Sequence, residues 1–282
     1  MNFLYTLRIL GILLMFFSTA QLFPASVAYY FQEYSLIKVF FNTLLATFLC
    51  GFLLYILSAT RKEDLRTKDG FIITVLFWTV LSIFGSFPLI FAEEIDISYI
   101  DALFESISGL TTTGATVLTG LDDLPRSILF YRQLLQWLGG MGIIVLAVAV
   151  LPLLGIGGMQ LYKAETPGPL KDSKLTPRIT ETAKALWYVY LTMTIVCASA
   201  YKFFGMTTYD AICHAFSTVS IGGFSTHDES FGFFTQASIR WTAVIFMIIA
   251  GINFGLHYIA WSKRLSLIHI SEPTRPLYIS YA

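Results

Sequence analysis

Thr111-Thr112-Thr113-Gly114-Ala115-Thr116 is an uncharged, hydroxyl-rich run with one glycine, set among strongly apolar segments. A second run, Ser220-Ile221-Gly222-Gly223-Phe224-Ser225-Thr226, echoes it further along the chain. Glycine adopts positive φ without penalty, so successive carbonyls of such a run can point to one side. Carbonyl oxygens aimed at a common axis replace the water around a dehydrated alkali cation. Neither run holds Asp or Glu, which argues against a carboxylate ring for divalent ions. Non-helical backbone survives at membrane depth only where protein or a water-filled cavity shields it. The chemistry therefore requires a membrane scaffold around both runs.

Composition agrees. The 282 residues are 56% hydrophobic, 16% aromatic and 13% charged, against roughly 25% charged in soluble domains. Mean hydropathy is +0.69. Lys+Arg and Asp+Glu number 18 each, so net charge says nothing about nucleic acid or acidic partners, and no nucleic-acid partner is expected. Cys50, Cys197 and Cys213 are odd in number and unpatterned, and they predict neither a disulfide framework nor a metal site. No Ser/His or Asp/Asp pair stands at plausible spacing and no H-E-x-x-H occurs, so an enzyme is not expected, nor a cofactor. The first apolar run leads to another span rather than to a signal-peptide cleavage site.

A span needs about 20 apolar residues. Six candidates run from Phe3 to Ala28, Leu36 to Ser58, Phe71 to Phe91, Ile128 to Leu154, Ala185 to Phe204 and Ala237 to Trp261. Two apolar pieces are too short. Ile97 to Gly109 would reach only about 20 Å as a helix, and Tyr209 to Val219 is similar; both suit re-entrant helices. Basic loops near residues 61–69, 155–184 and 263–264 fall on one side, which the positive-inside tendency makes cytoplasmic. Both short helices and both polar runs then enter from outside.

The chain repeats itself. Asp101-Ala102-Leu103-Phe104 matches Asp210-Ala211-Ile212-Cys213 at an offset of 109 residues. The same offset pairs Glu105 with His214, Ser108 with Ser217, Thr111 with Ser220, Gly114 with Gly223 and Thr116 with Ser225. Both copies share one orientation, so the repeat is parallel. The expected fold is all-α and integral to the membrane. Parallel repeats of span, short pore helix, filter loop and span follow an extra transmembrane helix pair. Residues 1–60 form that pair, 70–155 the first pore unit, 156–184 a cytoplasmic loop and 185–264 the second unit.

Each short helix ends at its run, where its partial negative pole favours a cation. Asp101 and Asp210 are expected to cap the opposite ends. His214 is expected to pack behind the second run. Arg126 and Arg132 either touch the filter backbone or anchor at the interface, anchoring being the favoured reading, and Trp137, Trp187, Trp241 and Trp261 are expected to form an interfacial belt. Glu93, Glu94, Asp96, Asp228 and Glu229 either raise the local cation concentration or belong to ordinary solvated loops.

The unit of span, short helix, Thr-Thr-Thr-Gly-Ala-Thr and span resembles the Trk/Ktr/HKT family of potassium transporters, in particular its bacterial TrkH/TrkG branch. So does its echo at residues 218–225. Residues 132–142 and the loop Ala164-Glu165-Thr166-Pro167-Gly168-Pro169 support the resemblance, which covers about residues 1–264. It implies uptake of potassium ion at the cell inner membrane by a multi-pass protein, with passive or coupled permeation. It implies filter glycines Gly114 and Gly223, with carbonyls contributed by Thr111, Thr112 and Thr113 and by Ser220, Ile221 and Gly222. It implies a cytosolic nucleotide-binding regulatory subunit of the TrkA type, a homodimer, and membrane lipid as surroundings. Four such units make the family's pore and two are found here, so the expectation is a truncated N-terminal half with a non-family tail at residues 265–282. Two other readings differ in their demands. A secondary transporter with a midplane site would need ionisable residues within spans or an inverted repeat. A non-functional truncated fragment would need neither.

Overall fold

The structure is a computed structural model that describes residues 3–58, 67–142 and 179–252, with Phe254 and His257. The expected cytoplasmic loop at residues 156–184 lies almost wholly outside the described residues. The end of the fourth span and the tail at 265–282 lie wholly outside them. The described secondary structure is helical, without strands.

The first expected span is divided. Helix α1 runs Phe3–Thr19 and α2 runs Leu22–Tyr30. The cause is Pro24, which has no N–H and whose ring collides with the carbonyl four residues earlier, that of Ala20. The chain turns there through tight bonds, Ala20 N–H to the Phe17 carbonyl at 3.1 Å and Gln21 N–H to Ser18 at 3.1 Å. Ser18 and Thr19 add hydroxyl bonds back to Met15 and Phe16. Helix α3 (Tyr34–Leu57) then returns antiparallel to α1. Paired glycines let the two backbones touch. A Cβ on Gly51 would lie 2.7 Å from the Gly11 carbonyl, and one on Gly11 would lie 2.5 Å from the Gly51 carbonyl. Gly51→Val is therefore expected to force the helices apart. Such overpacking costs about 1–3 kcal/mol and would lower the melting temperature of the detergent-solubilised protein, with Gly51→Ala between the two.

The outward face of α3 exposes Phe41, Leu45, Phe48 and Phe52, while α1 is mostly buried. An apolar stripe of that kind belongs against lipid rather than water. Helix α4 (Thr67–Phe91) leads to the short α5 (Tyr99–Leu110), then to α6 (Arg126–Trp137) and a π-helical turn at Leu138–Gly142. Helix α7 (Ile179–Phe203), the short α8 (Thr208–Val219) and α9 (Ala237–Gly251) follow. Among the described residues three stretches are long and apolar enough to cross a membrane: Thr6–Tyr30, Tyr34–Leu57 and Thr74–Phe91.

Two apolar cores result. One joins α1, α3, α4, α5 and α6 through residues such as Leu14, Phe17, Phe40, Leu81 and Leu135. The other joins α7, α8 and α9 through Tyr190, Tyr201, Ala215 and Ile239. Helix α6 links them, with Phe130 and Leu134 packed on Cys213 of α8.

Candidate functional site

The polar runs begin where α5 and α8 end, and they begin alike. Ser98 caps α5: its hydroxyl accepts the Asp101 N–H at 3.2 Å and donates to the Asp101 carboxylate at 2.7 Å. Thr207 and Asp210 repeat this on α8 at 3.0 and 2.6 Å. The hydroxyl residues are thus the caps, and each Asp is the reciprocal partner three residues on. A hydroxyl cap fits the geometry because its oxygen reaches the third free N–H.

At the other end α5 closes through Thr112 N–H to the Gly109 carbonyl (3.0 Å) and Thr113 N–H to Ser108 (2.9 Å). Helix α8 closes through Ile221 N–H to Thr218 (3.1 Å) and Gly222 N–H to Ser217 (2.8 Å). Both are Schellman motifs, in which the residue after the cap is left-handed and is usually glycine. Here it is Thr112 at φ 54° and Ile221 at φ 55°. A left-handed non-glycine costs roughly 1–2 kcal/mol, and a β-branched one is a marked outlier. Two residues later Gly114 (φ 76°) and Gly223 (φ 86°) are left-handed again. The identical pattern in both loops is strain of the kind that gathers at working sites.

The hydrogen-bond inventory shows what this backbone leaves over. The N–H groups of Thr111–Gly114 and of Ser220–Gly222 turn back onto helix carbonyls. Among the described residues, no carbonyl of Thr111–Gly114 or Ser220–Gly223 accepts a hydrogen bond. Eight acceptors are therefore left for another partner. The two loops meet, since a Cβ on Gly114 would overlap the Gly222 carbonyl oxygen.

Helix α6 forms the wall behind both loops. Glu105 of α5 is fully buried, and so is Arg132 of α6 but for 1%. Glu105 Oε1 accepts from the Thr116 hydroxyl (2.5 Å), Val117 N–H (2.6 Å) and Leu118 N–H (3.3 Å). Its Oε2 accepts from Arg132 Nε at 3.2 Å, and Arg132 Nη2 donates to the Thr116 hydroxyl at 2.8 Å. The guanidinium also lies 4.4 Å from the ring centroid of Phe224 in the second loop. One turn on, Gln136 accepts the Phe224 N–H at 3.1 Å. Arg132 is thus an internal strut, not an interfacial anchor. Trp137 likewise turns inward, stacked on Tyr190 and Phe216 with its N–H on Thr194.

His214 occupies in α8 the position that Glu105 holds in α5. It is buried between Phe231 and Phe234. Its Nδ1 lies 2.9 Å from the Asp210 carbonyl and its Nε2 3.0 Å from the Ser225 hydroxyl. A carbonyl only accepts, so Nδ1 carries the proton and Nε2 accepts from Ser225.

Outside the loops, His227 Nδ1 lies 2.5 Å from Asp122 Oδ1, and Asp228 N–H donates to Asp122 Oδ2 at 3.3 Å. The His227 ring stacks on Phe233 at 3.5 Å. This bond ties the connector after the first loop to the one after the second. The hydrogen bond from His227 holds the Asp122 carboxyl below its ordinary range, against a smaller opposing effect of burial. A carboxyl with a lowered folded-state pKa stabilises above its unfolded value, about 3.9, and the contribution fades as pH falls through the lowered value. Asp122→Asn is thus expected to lower the melting temperature at pH 7. The gap to the parent should close below about pH 4.

The chain matches a sequence model described as TrkH, cation transport protein, over residues 36–271. It belongs to the TrkH family of cation transport proteins. It is 55% identical over 263 residues to the Trk system potassium uptake protein TrkH of Vibrio parahaemolyticus serotype O3:K6, covering 93% of this chain and 54% of that protein. It is 48% identical over 254 residues to the Trk system potassium uptake protein TrkG of Escherichia coli K12, covering 90% and 52%. The crystal structure of the potassium transporter TrkH from Vibrio parahaemolyticus superposes with a TM-score of 0.80 at 50% identity, over 93% of this chain and 53% of that one. The chain spans about half the length of the curated relatives it matches.

Within this TrkH-family chain, Thr111, Thr112, Thr113 and Gly114 form one loop start, and Ser220, Ile221, Gly222 and Gly223 the other. The structure brings Gly114 and Gly222 into contact. Gln136 was not singled out from sequence, and the pairing of Glu105 with Arg132 was not expected. Glu105 offered a signal: a carboxylate in the middle of a short apolar helix calls for a partner.

Proposed function

We propose that the chain takes part in potassium uptake across the bacterial inner membrane, the ion giving up its water to backbone carbonyls. Those carbonyls belong to Thr111, Thr112, Thr113 and Gly114 and to Ser220, Ile221, Gly222 and Gly223. The observation that carries this reading is the eight carbonyls without a donor among the described residues, on loops whose N–H groups at Thr111–Gly114 and Ser220–Gly222 are turned back onto the helices. Carbonyl oxygens suit a monovalent cation with a weakly held water shell. The names of the TrkH and TrkG relatives supply the ion. On this reading the two loops are two sides of a four-unit pore. The loop at residues 156–184 receives a cytosolic nucleotide-binding regulator of the TrkA type, and the assembly is a homodimer.

The test is rubidium uptake from the complete gene in a host that lacks its own potassium uptake. Saturable uptake at micromolar to millimolar Rb⁺ is expected. No uptake despite good membrane expression would overturn the reading.

A further inference from the structure

We propose that Glu105 and Arg132 are the positioning pair of the ion site, and that they set the height of the first loop's carbonyls and couple it to the second. The inference rests on the carbonyl reading above. Neither side chain lies among the ion-facing groups; both act through the backbone they hold.

Three observations support it. The carboxylate binds the returning limb of the first loop at three successive residues, 116, 117 and 118. The other limb is fixed to α5 by the Schellman bonds at Thr112 and Thr113. The free carbonyls therefore lie between two anchors on the same helix, and Glu105 is the second anchor. Arg132 in turn holds Glu105, touches Thr116 itself, and lies over Phe224 next to Gly223. A shift of the guanidinium would move both loops together.

The second unit is braced differently. At the position equivalent to Glu105 it has His214, which meets Ser225 through one bond at 3.0 Å. The first loop is clamped by charge-assisted bonds, which are shorter and roughly twice as strong as neutral ones. The second is held by that neutral pair, by the Asp210 carboxylate, which accepts the Thr226 hydroxyl at 2.9 Å, and by Gln136. The two loops are therefore not interchangeable parts.

Partners that orient a ligand group without touching the ion change affinity by about 10–100-fold when removed. The experiment uses the complete gene and measures Rb⁺ and Na⁺ uptake at matched membrane expression. The double variant Glu105→Gln with Arg132→Gln leaves no lone buried charge. Its Rb⁺/Na⁺ preference is expected to fall about tenfold. Thr116→Val removes the hydroxyl shared by the pair and should shift the preference the same way by about threefold, about half of the effect on a logarithmic scale. A merely structural role would lower expression or melting temperature and leave the preference alone. If the double variant fails to express, Thr116→Val decides: an altered ratio supports the proposal and the parent ratio overturns it. If both variants express and keep the parent ratio, the proposal is wrong while the carbonyl reading stands. Absence of selective uptake by the parent would instead remove the carbonyl reading itself.

Discussion

Gly114→Ala should abolish selective Rb⁺ uptake while leaving membrane expression close to that of the parent. Two costs fall on one atom. At φ 76° the backbone is left-handed, which costs an alanine roughly 1–2 kcal/mol. The new Cβ would also overlap the Gly222 carbonyl oxygen. That obstacle is backbone, so no side-chain rotation relieves it, and overpacking of this kind costs about 1–3 kcal/mol. The loops must separate at their point of contact, and the displaced oxygen is itself one of the eight free acceptors. Gly223→Ala is the control. It shares the left-handed geometry at φ 86°, but nothing lies within 4 Å of its added Cβ. It should retain measurable uptake with a modest loss of preference. Equal, unchanged Rb⁺/Na⁺ ratios in both variants would refute the idea that contact between the loops shapes the site.

Gly139→Ala should be the most destabilising substitution in the π-helical turn. Its Cβ would lie 2.6 Å from the carbonyl carbon and 2.9 Å from the Cα of Leu110, the last residue of α5. Backbone faces backbone, so either α6 or the end of α5 must move. A loss of about 1–3 kcal/mol is expected, which for a chain of this size lowers the melting temperature by several degrees, roughly 2–4 °C per kcal/mol. Gly140→Ala is milder, because its Cβ comes no nearer than 2.7 Å, to the Tyr190 hydroxyl, and 2.9 Å, to the Ser220 Cβ, whereas the Gly139 Cβ overlaps the Leu110 carbonyl. Melting curves of purified protein in one detergent check the order. A Gly139→Ala variant as stable as the parent would mean that the turn and the end of α5 are free to slide.

Much of the site could be read from the chain itself. The polar runs, their spacing of 109 residues and the short helices before them all stand in the sequence, because local composition alone marks non-helical backbone in apolar surroundings. The left-handed residues were placed only in part. Glycine is the ordinary signal, and Gly114 and Gly223 carry it, but Thr112 and Ile221 are left-handed because the Schellman bonds require it, and nothing in their types announces this. For Arg132 the favoured one of two readings, the interfacial anchor, fails for a different reason. A long basic side chain looks the same in sequence whether it reaches the interface or pairs inside, and its partner Glu105 is 27 residues away, on a helix whose packing the sequence does not display. The break at Ala20 had a signal in Pro24, since an interior proline kinks or breaks a helix, but hydropathy averages across such a break.

The bond from Phe224 N–H to Gln136 joins residues 88 apart, and this has a consequence for biosynthesis. Membrane chains are made and inserted from the N-terminus, so Gln136 is in place long before Phe224 leaves the ribosome. The anchors of the first loop, Glu105 and Arg132, are also complete by then. The second must wait for that earlier wall and is moulded against it. Errors in the early half are therefore inherited by the later one, whereas an error confined to residues 220–227 leaves the first loop's own anchors intact. Selection on the sequence should accordingly act more strictly on α6 than on any helix made after it.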